Sequence, residues 1–131
     1  MNTTVVALVA IVTSLAQAQD VGQFTRARNE HIIVELDRPF RVTAVKGSVV
    51  LKGDGAPIPR VLFEVQGPGI ANKIRHATSG EDGRFLLHHI SPVTYRFKAT
   101  LNGMQSVMGT LVVSRKGRVD PEIRIEMAFG V

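Results

Sequence analysis

From Val42 onward, apolar and polar residues alternate in short runs, with no sustained helical spacing. The runs are Thr43–Leu51, Val61–Gln66, Lys73–Thr78, Arg84–His88, Tyr95–Leu101, Ser106–Ser114 and Glu122–Met127. They recur at roughly ten-residue intervals between turn signals, the mark of an all-β sandwich or barrel. Strand alternation turns Val49, Leu51, Val61, Phe63, Val65, Phe85, Leu87, Ile90, Tyr95, Phe97, Ala99, Leu111, Val113, Ile123 and Ile125 inward. The opposite faces carry Glu64, Arg84, His88, Arg96, Lys98, Arg124 and Glu126. One apolar and one polar face per sheet suits antiparallel sheets packed in water. The pattern therefore predicts a seven-stranded antiparallel β-sandwich with one core.

The stretch from Thr78 to Tyr95 organises that core. Asp82-Gly83 predicts a turn with positive φ, joining the two strands that flank it as a hairpin. Phe85 and Leu87 share one face; Ile90 follows out of phase, and Tyr95, Phe97 and Ala99 resume the period. The chain must turn a corner at Pro92 and re-enter the same core. Tyr95 is expected to seat its ring in the core and bond its hydroxyl to a backbone group across the corner. Asp54-Gly55 and Asn102-Gly103 offer further turns of the same chemistry.

The chain before Val42 reads differently. Val5–Val12 is an apolar run too short to span a bilayer. Ala16-Gln-Ala18 follows as a small-x-small cleavage site, so residues 1–18 read as a signal peptide, although no Lys or Arg precedes the run. Export to the periplasm or the extracellular space is the consequence. Residues 19–41 read as a linker followed by an extra edge strand or extended arm: His31-Ile-Ile-Val-Glu-Leu36 is β-prone, and Asp37-Arg-Pro39 interrupts it.

Composition narrows the chemistry. The 131 residues suffice for one core, and the absence of Cys removes disulfides, thiolate metal sites and thiol catalysis. The formal charge of +5 would favour anionic partners, but basic residues are scattered among apolar ones and there is no Trp. A base-stacking platform is poorly supported, so no nucleic-acid partner is expected.

Lys46-Gly47-Ser-Val49, Gly55-Ala-Pro57-Ile58-Pro-Arg-Val61-Leu-Phe63-Glu-Val65, and Thr78 followed by Glu81-Asp82-Gly83-Arg-Phe85-Leu-Leu87 form an ordered set. With Ile90, Pro92, Tyr95, Ala99 and Gly103, it resembles carboxypeptidase regulatory-like domains over Val42–Met127. Val93 departs from the pattern, which usually has Gly two residues before the corner Tyr. The resemblance implies a prealbumin-like, Greek-key sandwich that is mostly non-catalytic and takes its role from what it accompanies. Asp82, Gly83, Phe85, Leu87, Ile90 and Tyr95 are then structural residues, with no catalytic, cofactor or metal residue assigned.

Four chemical alternatives remain to be weighed. His88 and His89 are adjacent on a strand and point to opposite faces, so they cannot chelate one ion without a bulge. His76 could join them only if the Gly83 turn is a hairpin. A transthyretin-like hydrolase would need a Tyr-Arg-Gly-Ser type tail, whereas this sequence reads Glu126-Met-Ala-Phe-Gly-Val131 and holds one Tyr. An intradiol dioxygenase would need two Tyr ligands. Glu81-Asp82 lacks the oxygen density of a calcium loop. The expectation is an exported, non-catalytic module that binds a protein or glycan of the cell envelope, with loops Gly67–Asn72 and Arg115–Arg118 as exposed candidates. A small hydrolase and a polyanion binder are the alternatives.

Overall fold

The computed structural model describes residues 24–69 and 73–130. The signal-peptide reading and residues 70–72 of the first candidate loop lie outside them. Among the described residues nine strands form two sheets: β1 Ile33–Glu35, β2 Phe40–Val42, β3 Val45–Leu51, β4 Leu62–Gln66, β5 Arg75–Thr78, β6 Arg84–Leu87, β7 Thr94–Thr100, β8 Ser106–Val113 and β9 Ile123–Met127. The larger sheet runs β1-β8-β7-β4-β5, with β2 also on β8; the smaller runs β6-β3-β9. All seven predicted runs hold a strand, and β1 and β2 are additional.

Both sheets are mixed, which corrects the antiparallel expectation and its count of seven. β1 and β2 run parallel to β8, and β3 runs parallel to β9. Tight hairpins impose antiparallel pairing, and neither set of strands is joined by one. Glu30 bonds to Ser106, the first residue of β8, so the chain that follows starts beside β8's beginning and travels the same way.

The sheets pack face to face as a sandwich-like all-β fold around one core. Phe63 on the larger sheet stacks on Phe85 of the smaller, with ring centroids 4.3 Å apart, and on Phe97 at 5.4 Å. Aromatic pairs at these separations contribute beyond their buried area. Every residue predicted to face inward is buried except Leu51, which is half-buried.

Two glycines fix how closely strands approach. A Cβ on Gly47 would fall inside the Ile123 carbonyl of the paired β9. Gly83 has φ of 78°, and a Cβ there would lie 2.7 Å from the Val49 carbonyl oxygen. Its turn is closed by Gly83 N–H to the Gly80 carbonyl at 2.9 Å and by Arg84 N–H to Asp82 Oδ1 at 3.0 Å. That turn is not a hairpin. β5 pairs with β4 and β6 with β3, so Asp82-Gly83 carries the chain from one sheet to the other.

The corner is built from a backbone shift and a hydroxyl. His89 takes φ of 54°, the left-handed conformation, and this moves Ile90 back to the core after exposed His88 and His89. Val93 needs no positive φ, so a β-branched residue fits there. The Tyr95 hydroxyl donates to the Ser91 carbonyl at 2.7 Å.

Gly47→Ala should therefore destabilise the protein by about 3 kcal/mol, the upper range for overpacking a close approach, as read from urea unfolding midpoints. Tyr95→Phe should cost roughly 1 kcal/mol, the scale of one lost hydrogen bond. An unchanged midpoint would show that the Ser91 bond contributes nothing.

Candidate functional site

The extra edge strand expected near His31–Leu36 is β1, at the edge of the larger sheet; what sequence reading missed is how the segment from Phe24 to Leu36 docks. That segment lies on the outer face of the larger sheet, where Glu64 and Lys98 were expected to meet solvent. Both are buried, at 6% and 2% exposure. Cross-strand register sets Glu64 beside Lys98 on that face, between His76 and Met108. The segment covers this row and satisfies its charges.

Two carboxylates pin it. Glu64 accepts from the Thr25 N–H at 2.9 Å and from the Thr25 hydroxyl at 3.0 Å. Glu30 reaches the other way, accepting from Lys98 Nζ at 3.1 Å, from the Ser106 hydroxyl and from the Ala27 N–H. Asn102 Oδ1 also accepts from the Arg28 N–H, at 2.7 Å. Burial pushes the Glu30 carboxyl up, but the bonds from Ser106, Lys98 and Ala27 and the Lys98 charge outweigh it. The net effect holds this carboxyl below its ordinary value.

Beyond this pin, the chain becomes the edge of the larger sheet. Ile32, Ile33 and Val34 are exposed by about two-fifths each (42%, 41% and 38%). The other edges of the two sheets interleave polar or charged side chains: Arg75 and His76 on β5, Arg84 beside the exposed Leu86 on β6, Arg124 and Glu126 on β9. Charged edges resist pairing with another chain; three consecutive apolar, β-branched positions invite it. Glu35 at the end of β1 is held by Arg96 through bonds of 2.8 and 2.7 Å. Leu36 N–H still bonds the Met108 carbonyl, after which Asp37-Arg-Pro39 leaves the ladder. Between Glu35 and Phe40 the edge advances five residues while β8 advances three, so the ladder carries two extra residues. Gly109 lies opposite, leaving room for Leu36 and for the Phe97 ring.

The sequence-predicted sites are not brought together. His88 and His89 are exposed, with ring centroids 6.1 Å apart, and their carbonyls accept from Arg75 at 2.6 Å each. His76 lies on β5 of the other sheet. Among the described residues no three His, Asp or Glu converge as metal ligands. Gly67–Gly69 borders an open recess of about 530 Å³ floored by Gln66, Arg96, Met108 and Thr110. Phe24 closes one side with its ring buried, so no aromatic face is offered there for a sugar to stack on. The loop Arg115–Arg118 is exposed and bonded only locally, through Ser114 to Lys116. Asp82, Gly83, Phe85, Leu87, Ile90 and Tyr95 all serve the turn, corner and core described above.

No protein-family model matches the chain, and no curated protein matches it either. No helix among the described residues is long and apolar enough to cross a membrane.

The pin has a pH signature. Because the folded Glu30 carboxyl lies below its unfolded value, its contribution is complete above the unfolded value, about 4.3. It is lost as pH falls through the lower, folded value. Glu30→Gln should cost on the order of 3 kcal/mol at neutral pH by leaving Lys98 buried and unpaired. In urea titrations this deficit should shrink on acidification below pH about 4. Pairing Glu30→Leu with Lys98→Met should recover most of the loss.

Proposed function

We propose that this protein is an exported, non-catalytic β-sandwich module of the carboxypeptidase regulatory-like kind, with a prealbumin-like fold, working at the cell envelope. Its contacts are with protein, made through the β1 edge. The observation that carries this reading is the exposed aliphatic run Ile32-Ile33-Val34 on a strand whose outer side no other strand among the described residues covers. An aliphatic edge offers backbone hydrogen bonds and side-chain packing to an extended segment. Sugars prefer flat aromatic faces, and among the described residues Phe129 is the single aromatic with a largely exposed side chain. Protein is therefore favoured over glycan.

Polyanion binding loses support from the ion pairs. Arg60, Arg84, Arg96, Lys98 and Arg124 each face a carboxylate within 4.0 Å, so these five do not gather into an unpaired basic patch.

The test is site-directed photocrosslinking in envelope fractions, which the absence of native Cys makes clean. A benzophenone attached at Ile33→Cys should give protein adducts, with itself or with another protein. The same label at Val119→Cys, on an exposed loop, should give few. Equal labelling at both positions would overturn the β1 reading, and recovery of the protein with the cytosol would overturn export.

A further inference from the structure

The β1 edge is complementary to itself. In its parallel ladder with β8, the Ile32 carbonyl accepts from Ser106 N–H at 3.1 Å and Leu36 N–H donates to the Met108 carbonyl at 2.8 Å. Backbone groups alternate sides along a strand, so Ile32, Val34 and Leu36 turn theirs toward β8. His31, Ile33 and Glu35 turn theirs outward. These three are the residues that a strand added to this edge would meet.

We propose that the partner at this edge is a second copy of the chain, paired antiparallel about a two-fold axis through Ile33. This rests on reading β1 as an interaction surface. The register follows from parity and from side-chain chemistry. Centring the axis on Ile33 sets Ile33 opposite its own copy and His31 opposite Glu35, all as hydrogen-bonded pairs. Each His31 then brings an imidazole donor to a Glu35 carboxylate, which already accepts from Arg96 on the same face. On the other face Ile32 meets Val34, placing apolar against apolar. Shifting the axis by half a residue would set the outward backbone groups against ones that β8 already uses. Shifting it by one, to Ile32 or Val34, keeps the backbone match but parts His31 from Glu35 and sets Ile33 opposite one of them, and shifting it by two would oppose Glu35 to an apolar residue or to itself. Asp37-Arg-Pro39 limits the pairing to this short run, since Pro39 has no N–H and Asp37 and Arg38 are charged. So short a ribbon buries less than a standard interface, and the dimer dissociates on dilution.

Sedimentation velocity over a concentration series should show a reversible monomer–dimer equilibrium. Ile33→Pro removes an N–H that β8 does not use and should abolish the dimer with thermal midpoint and circular dichroism retained. His31→Glu, at an exposed position, sets carboxylate against carboxylate twice and should weaken the dimer roughly tenfold even if the proline variant unfolds. Register is read by mild oxidation. Opposed residues in a hydrogen-bonded pair have Cα atoms about 5.5 Å apart, within disulfide reach. Ile33→Cys should crosslink to its copy, whereas Glu35→Cys, which faces His31, should not. A monomer at all concentrations, or equal crosslinking at both positions, would overturn self-pairing. If adducts at position 33 then form with a different protein, the interaction surface stands and only the identity of its partner falls. If no adduct forms at all, both readings fall.

Discussion

The contact on which the rest depends is the buried bond of Glu30 to Lys98 and Ser106. Lys98 sits on β7, the third strand of the larger sheet counted from β1, at 2% exposure, where an unpaired ammonium would be costly. The N-terminal segment brings it the Glu30 carboxylate, while Glu64, its cross-strand neighbour, accepts from Thr25 of the same segment. Satisfying Lys98 draws residues 24–30 across the sheet, sets the chain at the start of β8 and fixes the parallel direction of β1. The apolar edge is exposed as a consequence of this pin.

The cost of that arrangement is a pair of buried charges, which hydrophobic residues of similar volume could replace without loss of stability. What such residues could not supply is direction and position. A carboxylate with three donors accepts one placement of the chain, whereas apolar contact alone would permit slippage along the sheet face. The same logic holds at Gly47 and Gly83, where strand and turn approach too closely for any side chain.

The alternation of Val61, Phe63 and Val65 against Leu62 and Glu64, and of Tyr95, Phe97 and Ala99 against Arg96 and Lys98, made strands and core legible from sequence. Direction and sheet membership were not legible. Asp82-Gly83 has the chemistry of a positive-φ turn, but such a turn serves a hairpin and a sheet crossover equally well. Lys98 and Glu64 were misplaced to solvent because alternation assigns a face without saying what covers it. His31–Leu36 shows β propensity plainly, yet nothing local reports that it runs parallel to a strand over seventy residues later. Its exposure depends on the fold as a whole, and so the candidate interaction edge could not be read from the chain alone.

The central claim is that the pinned segment lays β1 on β8 with one side bonded and the other open. Amide hydrogen exchange resolved by residue tests this directly, in dilute protein at neutral pH. Val34 and Leu36 N–H face β8 and should be strongly protected, while Ile33 and Glu35 N–H should exchange close to the rate of an exposed chain. Uniformly fast exchange from Ile33 to Leu36 would contradict the account, because the segment would then not be docked.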